Sequence, residues 1–418
     1  MTRRMGSPDL TPRPPLPQER GGQKRSPLDA TSARVSRGIH AAKAPSSPDL
    51  TPRPPLPQER GSQKPEALEN TVRRIAVVRA LYLGDLLLAI PALRALRAHF
   101  AGAEITLIGL PWAEELRRRF TAYIDRFLPF PGYPGIGETD YAPRRTRRFL
   151  AAQRAYGYDL VIQMHGSGAA SNPFALALGG RATAGYYRGA PPDGLCLAEQ
   201  YPDDELEVAR NLGLARLVGC GWLEPALEFP LLPADQEEAD ALLDGVDAST
   251  PLIGIHASAK APSRRWPPER FAAVADILAA RFDARIALTG GADDGAIIRA
   301  IRRHMRHDAL DLAGKTSLGG LAALIARMRL FIGNDSGPAH LAEAVGTPSV
   351  TLFGPTDPRR WAPLDQRAHR IVRHPVGCSP CVYSDCPIDH RCLRRITPAE
   401  VIARSSDLLL GEVTTCGA

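Results

Sequence analysis

The chain has 418 residues, enough for two domains of ordinary size, and its hydrophobic (44%) and charged (23%) fractions are typical of water-soluble globular proteins. The net charge is +7, but residues 1–70 contain twelve Lys and Arg against seven Asp and Glu, a surplus of five. The rest of the chain carries only +2, so its overall charge does not indicate a nucleic-acid partner. With no long apolar run and no signal-peptide core in the sequence, we expect a cytoplasmic protein.

The N-terminal segment contains a duplication. Residues 7–24 recur at 47–64 with one difference, Gly22 against Ser62. The repeated segment is rich in proline and has neither a helical nor a strand period, so we predict a disordered tail over residues 1–71. A proline-rich ligand for an SH3-type domain is the alternative interpretation of the same residues.

Residues 72–232 predict an N-terminal α/β domain. It opens with a βαβ unit, in which a short apolar strand is followed by apolar residues at helical spacing and then by a second strand. The predicted elements are strands at Arg74–Arg79, Glu104–Ile108 and Tyr158–Met164, and helices at Leu86–Phe100 and Tyr201–Val218.

A proline-containing stretch over Leu227–Pro251 is predicted to connect this domain to a second one, residues 251–396. The second domain repeats the alternation, and the two series together predict two doubly wound, Rossmann-like domains with a cleft between them. A last helix, within 397–411, is predicted to pack back on the N-terminal domain. The predicted elements are strands at Leu252–His256, Ala284–Leu288 and near Phe331 and Phe353, and helices at Pro268–Arg281, Asp294–Met305, Leu318–Met328 and Pro398–Leu410.

Two polar turns follow the last two predicted strands, at Asn334–Pro338 and Gly354–Pro358. In the first, Ser336 or Gly337 can cap a helix and Pro338 suits its first turn. The free backbone N–H groups and the positive end of the helix dipole then favour an anion. The sequence therefore predicts a phosphate site, of a size that suits the diphosphate of a sugar nucleotide.

Four motifs in this order resemble glycosyltransferase family 9, the ADP-heptose:lipopolysaccharide heptosyltransferases, over roughly residues 72–410. The resemblance implies a GT-B fold, with the acceptor held by the N-terminal domain and the nucleotide-sugar by the C-terminal one. It implies transfer of heptose from ADP-heptose to a lipopolysaccharide core or a related anionic, lipid-linked glycan, with peripheral contact at the cytoplasmic face of the inner membrane. The motifs are Leu83-Gly84-Asp85, Trp266 to Phe271, Asn334 to His340, and Gly354 to Pro358.

Asp85 is the candidate catalytic base. It lies where a strand end turns into a helix, which is where doubly wound sheets bind ligands. Glycosyl transfer to a hydroxyl needs a base within hydrogen-bond reach, and a carboxylate in a partly desolvated cleft can serve. The alternative is that Asp85 only caps the helix that follows.

The resemblance also implies the donor-binding residues. Arg264 stands where similar proteins carry a phosphate-binding lysine, so the contact is predicted at Arg264 or at Lys260; a solvated basic loop is the alternative. Asp294 follows Gly290-Gly291, where the family places an acid that holds the ribose, although a capping role explains it equally well. The predicted donor-binding set is Ser258, Lys260, Arg264, Asp294, Asp335, Ser336, Gly337, His340 and Thr356.

Two expectations concern the reaction. No convincing Asp-X-Asp pair follows a predicted strand, so we expect no metal on the diphosphate and no cofactor for catalysis. The leaving ADP is then stabilised by helix dipoles, backbone N–H groups and the basic loop. One base without a second carboxylate nucleophile predicts direct displacement with inversion.

Four cysteines lie within fifteen residues, at Cys378, Cys381, Cys386 and Cys392. Four thiols at this spacing can hold a structural zinc ion or an iron–sulfur cluster. The alternative is that the thiols bind no metal and only pack a loop. Two disulfides would be unusual in a cytoplasmic protein. A zinc-containing binding protein is the non-enzymatic interpretation of this segment.

Arginines in the first domain are candidates for acceptor binding, because guanidinium groups bind phosphates and carboxylates well. A solvated charged face explains the same runs. The candidates are Arg117, Arg144 and Arg147. The sequence leaves two enzymatic alternatives. One is the same fold with a different nucleotide-sugar as donor. The other is a nicotinamide-dependent oxidoreductase, which the absence of a G-x-G-x-x-G pattern in the first turn disfavours.

Overall fold

The computed structural model describes residues 71–221 and 224–411 of the chain. The prediction of a disordered tail therefore falls, apart from residue 71, outside the described residues. Within the described ranges the chain forms two six-stranded sheets. Their strands are β1 (Arg74–Val78), β2 (Glu104–Gly109), β3 (Arg126–Pro129), β4 (Leu160–Gln163), β5 (Ala182–Tyr187) and β6 (Leu197–Gln200), and then β7 (Leu252–His256), β8 (Arg285–Thr289), β9 (Ala309–Asp311), β10 (Leu330–Asn334), β11 (Ser349–Phe353) and β12 (His369–Arg373).

Helices connect most of these strands. In chain order they are α1 (Leu83–Leu87), α2 (Ile90–His99), α3 (Glu114–Arg119), α4 (Pro143–Tyr156), α5 (Ser171–Ala177), α6 (Glu207–Leu217), α7 (Pro233–Leu242), α8 (Pro268–Phe282), α9 (Gly295–His304), α10 (Leu318–Ala326), α11 (Gly337–Ala344), α12 (Pro358–Trp361), α13 (Arg391–Arg394) and α14 (Pro398–Leu410). Every one of these described helices is too short or too polar to cross a lipid bilayer.

Both sheets have the same topology. The strand order is β3-β2-β1-β4-β5-β6 in the first and β9-β8-β7-β10-β11-β12 in the second, and the strands pair in parallel. This is the doubly wound order, in which the order reverses beside β1 and beside β7 and opens a ligand crevice at the carboxyl ends of the strands. The α/β fold class with two Rossmann-like domains is confirmed. We call the first sheet with its helices the first lobe, and the second sheet with its helices the second lobe.

The central strands are buried on both faces, as strands covered by helices on each side must be. All five residues of β7 and of β10 are buried, and Phe331 of β10 pairs with Gly254 of β7 and Ser349 of β11. These near-continuous apolar runs are the strands that the sequence predicts most clearly.

The predicted helix at Leu86–Phe100 is interrupted. The structure has two helices there, α1 and α2, and Pro91 lies in the first turn of α2. Proline has no N–H to donate and is tolerated only at the start of a helix, which explains the break. Because α1 begins at Leu83, Asp85 lies in its first turn.

Two further boundaries differ from the predictions. The segment predicted as a connection contains α7, which packs on α10 and whose Asp235 forms a buried ion pair with Arg119 of α3. The predicted helix from Tyr201 begins only at Glu207, because the preceding residues leave strand β6 and form a turn.

The final helix, α14, corrects a prediction. It packs against α8 and strands of the second sheet, and not back across the first domain. Its buried Val401 and Leu409 belong to the same apolar cluster as Trp266 and Phe271 of the second lobe. The indole N–H of Trp266 donates to the carbonyl of Ile396 at 3.2 Å, which ties the start of this segment to the second lobe.

Candidate active site

A cleft of about 830 Å³ lies between the two lobes, at the carboxyl ends of their strands. Asp85, which follows β1, lines it from the first lobe. Ser258, which follows β7, and Ser336, which follows β10, line it from the second lobe. The two switch points that the strand order creates therefore face the same space, as expected for a ligand site.

The two lobes touch where α1 and α11 begin. A Cβ atom added at Gly84 would lie 2.8 Å from Cδ2 of His340, and one added at Gly337 would lie 3.0 Å from Cβ of Leu83. Contacts under 3.0 Å require a neighbour to move, so the close approach depends on glycine at position 84. This contact brings the first turn of α1 beside the turn at Ser336.

Asp85 lies in this contact region and lines the cleft. Burial raises the pKa of its carboxyl group, and Glu207 adds to the rise, whereas Arg79, Arg360 and His340 act in the opposite direction. A carboxylate whose pKa is raised towards neutrality is a better proton acceptor than an ordinary one. The position and the environment both suit a general base.

Arg79 supports the loop that carries Asp85. This guanidinium is buried beyond the end of β1, where its Nε donates to the carbonyl oxygen of Asp85 at 2.7 Å and its Nη2 lies 3.2 Å from Glu207. Although burial alone would raise the pKa of Glu207, Arg79, Arg360 and Arg210 hold it at about 2. This network was not predicted from the sequence, although an arginine directly after an apolar strand was a signal for it.

An interlobe ion pair completes the network. Nε of Arg360, in α12 of the second lobe, donates to Oε2 of Glu207 in α6 of the first lobe at 3.0 Å. Beside it, Arg359 pairs with Asp204 at 2.6 Å on the exposed surface. Two ion pairs thus join the lobes: one to the buried Glu207 and one to the exposed Asp204.

The turn after β10 carries the predicted phosphate site. Ser336 is the N-cap of α11 but makes no side-chain capping bond, and Pro338 lies in the first turn. Ser336, Gly337 and Pro338 line the cleft, so the N-terminal end of α11 lies at the cleft wall. The backbone N–H groups in the first turn of a helix have no partner within the helix, and such an end suits an anion.

Asp335 and Arg264 face each other in the cleft. The carboxylate of Asp335 is buried, its Oδ2 has no hydrogen-bond partner among the described residues, and Nη1 of Arg264 lies 3.7 Å away. The Arg264 side chain is 40% exposed, so its remaining N–H groups are free to meet a ligand. Both residues were predicted, and the structure brings them together.

His340 is buried and lies between Gly84 and Glu343. Its Nδ1 is 3.9 Å from Oε2 of Glu343, while Nε2 would lie 3.6 Å from a Cβ at Gly84. The ring therefore lines the cleft, and its Cδ2–Nε2 edge faces Gly84 of the first lobe.

Of the other predicted donor residues, Ser258 and Lys260 line the cleft, whereas Asp294 and Thr356 are not part of its lining in the described structure. Oγ of Ser258 donates to Oδ1 of Asp294 at 2.6 Å, while Oδ2 of Asp294 accepts from the backbone of Gly291 at 2.7 Å, so Asp294 also caps its own turn. Nζ of Lys260 lies 3.5 Å above the ring of Tyr82, which belongs to the first lobe. The buried hydroxyl of Thr356 has no partner in the described part of the chain.

Asn334 is a structural residue that the predictions left out. Its Nδ2 donates to the carbonyl of Ala257 at 2.7 Å, and its Oδ1 accepts from the backbone N–H of Trp266 at 3.0 Å. The loop that carries Ser258, Lys260 and Arg264 is thereby fixed to the end of β10. A buried amide can do this because its donor and acceptor both find backbone partners.

The predicted acceptor arginines lie elsewhere. Arg117 pairs with Glu114 on α3 at 2.9 Å, and Arg144 and Arg147 are exposed on α4. In the described structure none of the three lines the cleft. A role for them in acceptor binding stays a prediction about the outer surface.

The cysteine segment forms part of the cleft wall. Cys381 lines the cleft, and its N–H donates to the carbonyl of Pro355 at 2.8 Å. Oγ of Ser263 donates to the carbonyl of Tyr383 at 2.7 Å, which joins the segment to the Arg264 loop. The sequence analysis did not foresee this contact.

The four cysteines of this segment form no disulfide bond in the described structure. The backbone N–H groups of Ile388, His390 and Asp389 lower the pKa of the Cys386 thiol, as suits a metal ligand, whereas burial raises the pKa of Cys392. Among residues 71–221 and 224–411, no group of three or more His, Cys, Asp or Glu side chains is arranged to hold a metal ion. The four cysteines do not form a ready ligand set here, and the metal site stays a prediction.

Comparison with known proteins gives consistent results. Residues 146–391 match the family model of glycosyltransferase family 9 (heptosyltransferase). The chain is 27% identical over 354 residues to lipopolysaccharide heptosyltransferase 2 of Escherichia coli strain K12, covering 81% of this chain and 99% of that protein.

Solved structures share the fold. A glycosyltransferase family 9 protein from Veillonella parvula superposes with a TM-score of 0.65 at 22% identity, covering 81% of this chain and 98% of the other. The E. coli ADP-heptose LPS heptosyltransferase II gives a TM-score of 0.63 at 24% identity, covering 81% and 99%. The family match spans more than half of the sequence, and the chain therefore belongs to glycosyltransferase family 9, a glycosyltransferase with two Rossmann-like lobes in the GT-B arrangement.

Proposed function

We propose that the enzyme transfers heptose from ADP-heptose to a lipopolysaccharide core or related glycan acceptor, by a metal-independent displacement that inverts the anomeric centre. The observation that supports it best is the pairing across the cleft. Asp85 lines the cleft from one lobe, and the turn at Ser336 and Gly337, which suits an anion, lines it from the other; the neighbouring Gly84 lies against Gly337. A base and a leaving-group site on opposite sides of one space suit in-line transfer.

In the proposed reaction the acceptor hydroxyl gives its proton to Asp85 as its oxygen bonds to the anomeric carbon. The bond from that carbon to the diphosphate oxygen breaks at the same time, and ADP leaves with the electron pair. Attack from the face opposite the leaving group inverts the configuration. Burial keeps the pKa of Asp85 raised, which favours proton uptake.

The second lobe would stabilise the leaving ADP. The N–H groups of α11 and the side chains of Arg264 and Lys260 lie around one wall and would supply positive charge where negative charge develops on the diphosphate oxygens, and His340 lies on the same wall as a further hydrogen-bonding group. The carboxylate of Asp335 lies 3.7 Å from the guanidinium of Arg264 and would help to position it. Asp294, which accepts a hydrogen bond from Ser258, would contact the ribose. With this charge in place, a metal ion is not needed for the proposed step.

The proposed donor and acceptor follow the relatives' names, which refer to ADP-heptose and lipopolysaccharide. A cytoplasmic location, with peripheral contact at the inner membrane, is the corresponding proposal for where the reaction occurs. The same fold with another nucleotide-sugar is the alternative that a donor comparison distinguishes.

The test is a transfer assay on the purified protein with ADP-heptose and a heptose-deficient core acceptor. Product mass identifies the transferred sugar, NMR of the product gives the anomeric configuration, and a parallel arm contains EDTA. Asp85→Asn removes the base without changing its shape, and Asp308→Asn, at an exposed aspartate outside the cleft lining, is the matched control. Retained configuration, dependence on a divalent metal or transfer only from another donor would each overturn the corresponding part of the proposal.

A further inference from the structure

Four neighbouring strands of the first lobe end at the cleft side of the sheet, in the order β3-β2-β1-β4. Asp85 lies in the first turn of α1, which follows β1; Trp112 lies in the turn after β2, and Glu138 lies in the loop after β3. All three residues line the cleft. His165 follows β4 and lies behind Glu138.

Trp112 offers an aromatic surface to this space. It lies in a single helical turn, Pro111–Ala113, directly after β2, and it is partly buried against apolar residues of the first lobe. The rest of the indole lines the cleft. An aromatic side chain held rigidly in this way gives the C–H face of a sugar ring a surface to pack on.

Glu138 places a carboxylate on the same wall. Its side chain is 24% exposed, and its Oε2 lies 3.7 Å from Nε2 of His165. Among the described residues this histidine is the ionisable side chain that lies nearest the carboxylate of Glu138 as an ion-pair partner, and no arginine or lysine pairs with that carboxylate. Two adjacent hydroxyls of a sugar can donate to the two oxygens of such a group.

His165 does not cancel that negative charge. Its Nδ1 accepts from the N–H of Ala80 at 3.3 Å, so its proton is on Nε2, towards Glu138. Burial and the nearby Arg79 lower its pKa to about 4, which leaves the ring neutral at pH 7. The wall around Asp85 therefore carries two carboxylates and a neutral histidine.

The positive side chains of the cleft lining belong to the other lobe, and of these Lys260 reaches across to the ring of Tyr82 in the first lobe. Arg264 and Lys260 belong to the second lobe, and Arg117, Arg144 and Arg147 lie outside the cleft lining. A phosphate or carboxylate on the accepting sugar ring would thus face Asp85 and Glu138 with no cation of the first lobe in the cleft lining to balance it. Like charges in a partly desolvated space are strongly disfavoured.

We propose that Trp112 and Glu138 form the subsite for the acceptor sugar, and that this subsite takes a neutral polyhydroxy ring and rejects one that carries an anionic group. The inference rests on the proposed glycosyl transfer and specifies its acceptor. Anionic groups elsewhere on a lipid-linked acceptor would lie outside the cleft.

The test compares two acceptors of equal length, one ending in an unmodified heptose and one ending in the same heptose carrying a phosphate. ADP release and product mass are followed for the wild type, Glu138→Gln and Trp112→Phe. The matched control is Asp140→Asn, an exposed aspartate of the same loop that is not part of the cleft lining. Thermal melting shows whether each variant is folded.

The wild type is expected to prefer the neutral acceptor at least tenfold in kcat/KM. Glu138→Gln should reduce that preference several-fold and raise KM for the neutral acceptor, while Trp112→Phe should raise acceptor KM for both; KM for ADP-heptose should stay unchanged in each. A wild type that prefers the phosphorylated acceptor, or a preference that Glu138→Gln leaves unaltered, would overturn the assignment while transfer itself stands. Absence of any transfer from ADP-heptose would instead remove the proposed function and this subsite with it.

Discussion

The two lobes have the same strand order but present opposite chemistry to the cleft. The loops of the second lobe carry Arg264, Lys260 and the start of α11, which together suit a diphosphate. The segments that follow the strands of the first lobe carry the carboxyl groups of Asp85 and Glu138, so this side of the cleft is acidic. The strand order therefore fixes where a ligand binds, whereas the residues that follow each strand decide which chemical groups each lobe presents to that ligand.

The largest expected effect comes from removing the base. Asp85→Asn should lower kcat by about 10²- to 10⁴-fold, the usual contribution of general base catalysis. Since burial raises the pKa of Asp85, kcat/KM of the wild type should rise with pH as that group loses its proton and then level off. The rising limb should be absent in Asp85→Asn; a pH profile that keeps it would assign the base to another residue.

The next effect tests the phosphate side. Arg264→Ala should raise KM for ADP-heptose and lower kcat/KM by about 10- to 100-fold, because a positive charge near the leaving group is lost. Arg264→Lys should recover part of the loss, since it keeps the charge but not the planar fork. Arg299→Ala, outside the cleft lining, is the control. Unchanged donor kinetics in Arg264→Ala would place the phosphate contact at Lys260.

The two interlobe ion pairs offer an internal comparison. Arg360→Ala removes one partner of the buried Glu207 and should cost about 1.5–3 kcal/mol of stability, the typical range for a hydrogen bond to a charged group. Arg359→Ala removes an exposed guanidinium that pairs with Asp204 and Asp357, and it should lower the stability clearly less than Arg360→Ala does. Thermal melting measures both.

The same Arg360 variant should also alter the pH profile. Arg360 lowers the pKa of Asp85, so its removal should move the rising limb of kcat/KM to higher pH. Arg359→Ala should leave the limb in place. Equal profiles for the two variants would mean that the electrostatic link between Arg360 and the base is absent.

The smallest effect concerns the cysteine segment. If the four thiols hold a metal, elemental analysis of the purified protein should find about one zinc or one iron cluster per chain, and a chelator that removes it should raise KM for ADP-heptose a few-fold. The reason is the contact between Ser263 and Tyr383, through which this segment supports the Arg264 loop. Metal-free protein with four titratable thiols would show that they only pack the loop.

The parts of the fold that could be predicted are those with a strong local signal. The strands β1, β7 and β10 are buried on both faces, so their sequences are continuous apolar runs. Short or peripheral elements such as α5 and β9 carry no such pattern and were missed. The packing of α14 was predicted wrongly because the partner of an amphipathic helix is decided by tertiary contacts.

The candidate site shows the same division. Asp85, Ser336 and Arg264 follow strands directly, in motifs with fixed spacing, and the structure places all three at the cleft. Glu138 lies in a loop whose position depends on how it folds over the sheet, so no spacing pointed to it. The arginines of α3 and α4 were chosen by charge alone, and charge does not say which face of a helix is turned outward.

The contact between Gly84 and Gly337 limits how this enzyme can vary. The main chains of the two lobes come close together there, and a methyl group at position 84 would lie 2.8 Å from the ring of His340. The spacing at this contact therefore leaves little room for a larger residue unless the His340 ring moves. At the rim, by contrast, Val382 is almost fully exposed and can be enlarged without collision, so substrate range is more readily re-engineered at the mouth of the cleft than at its floor.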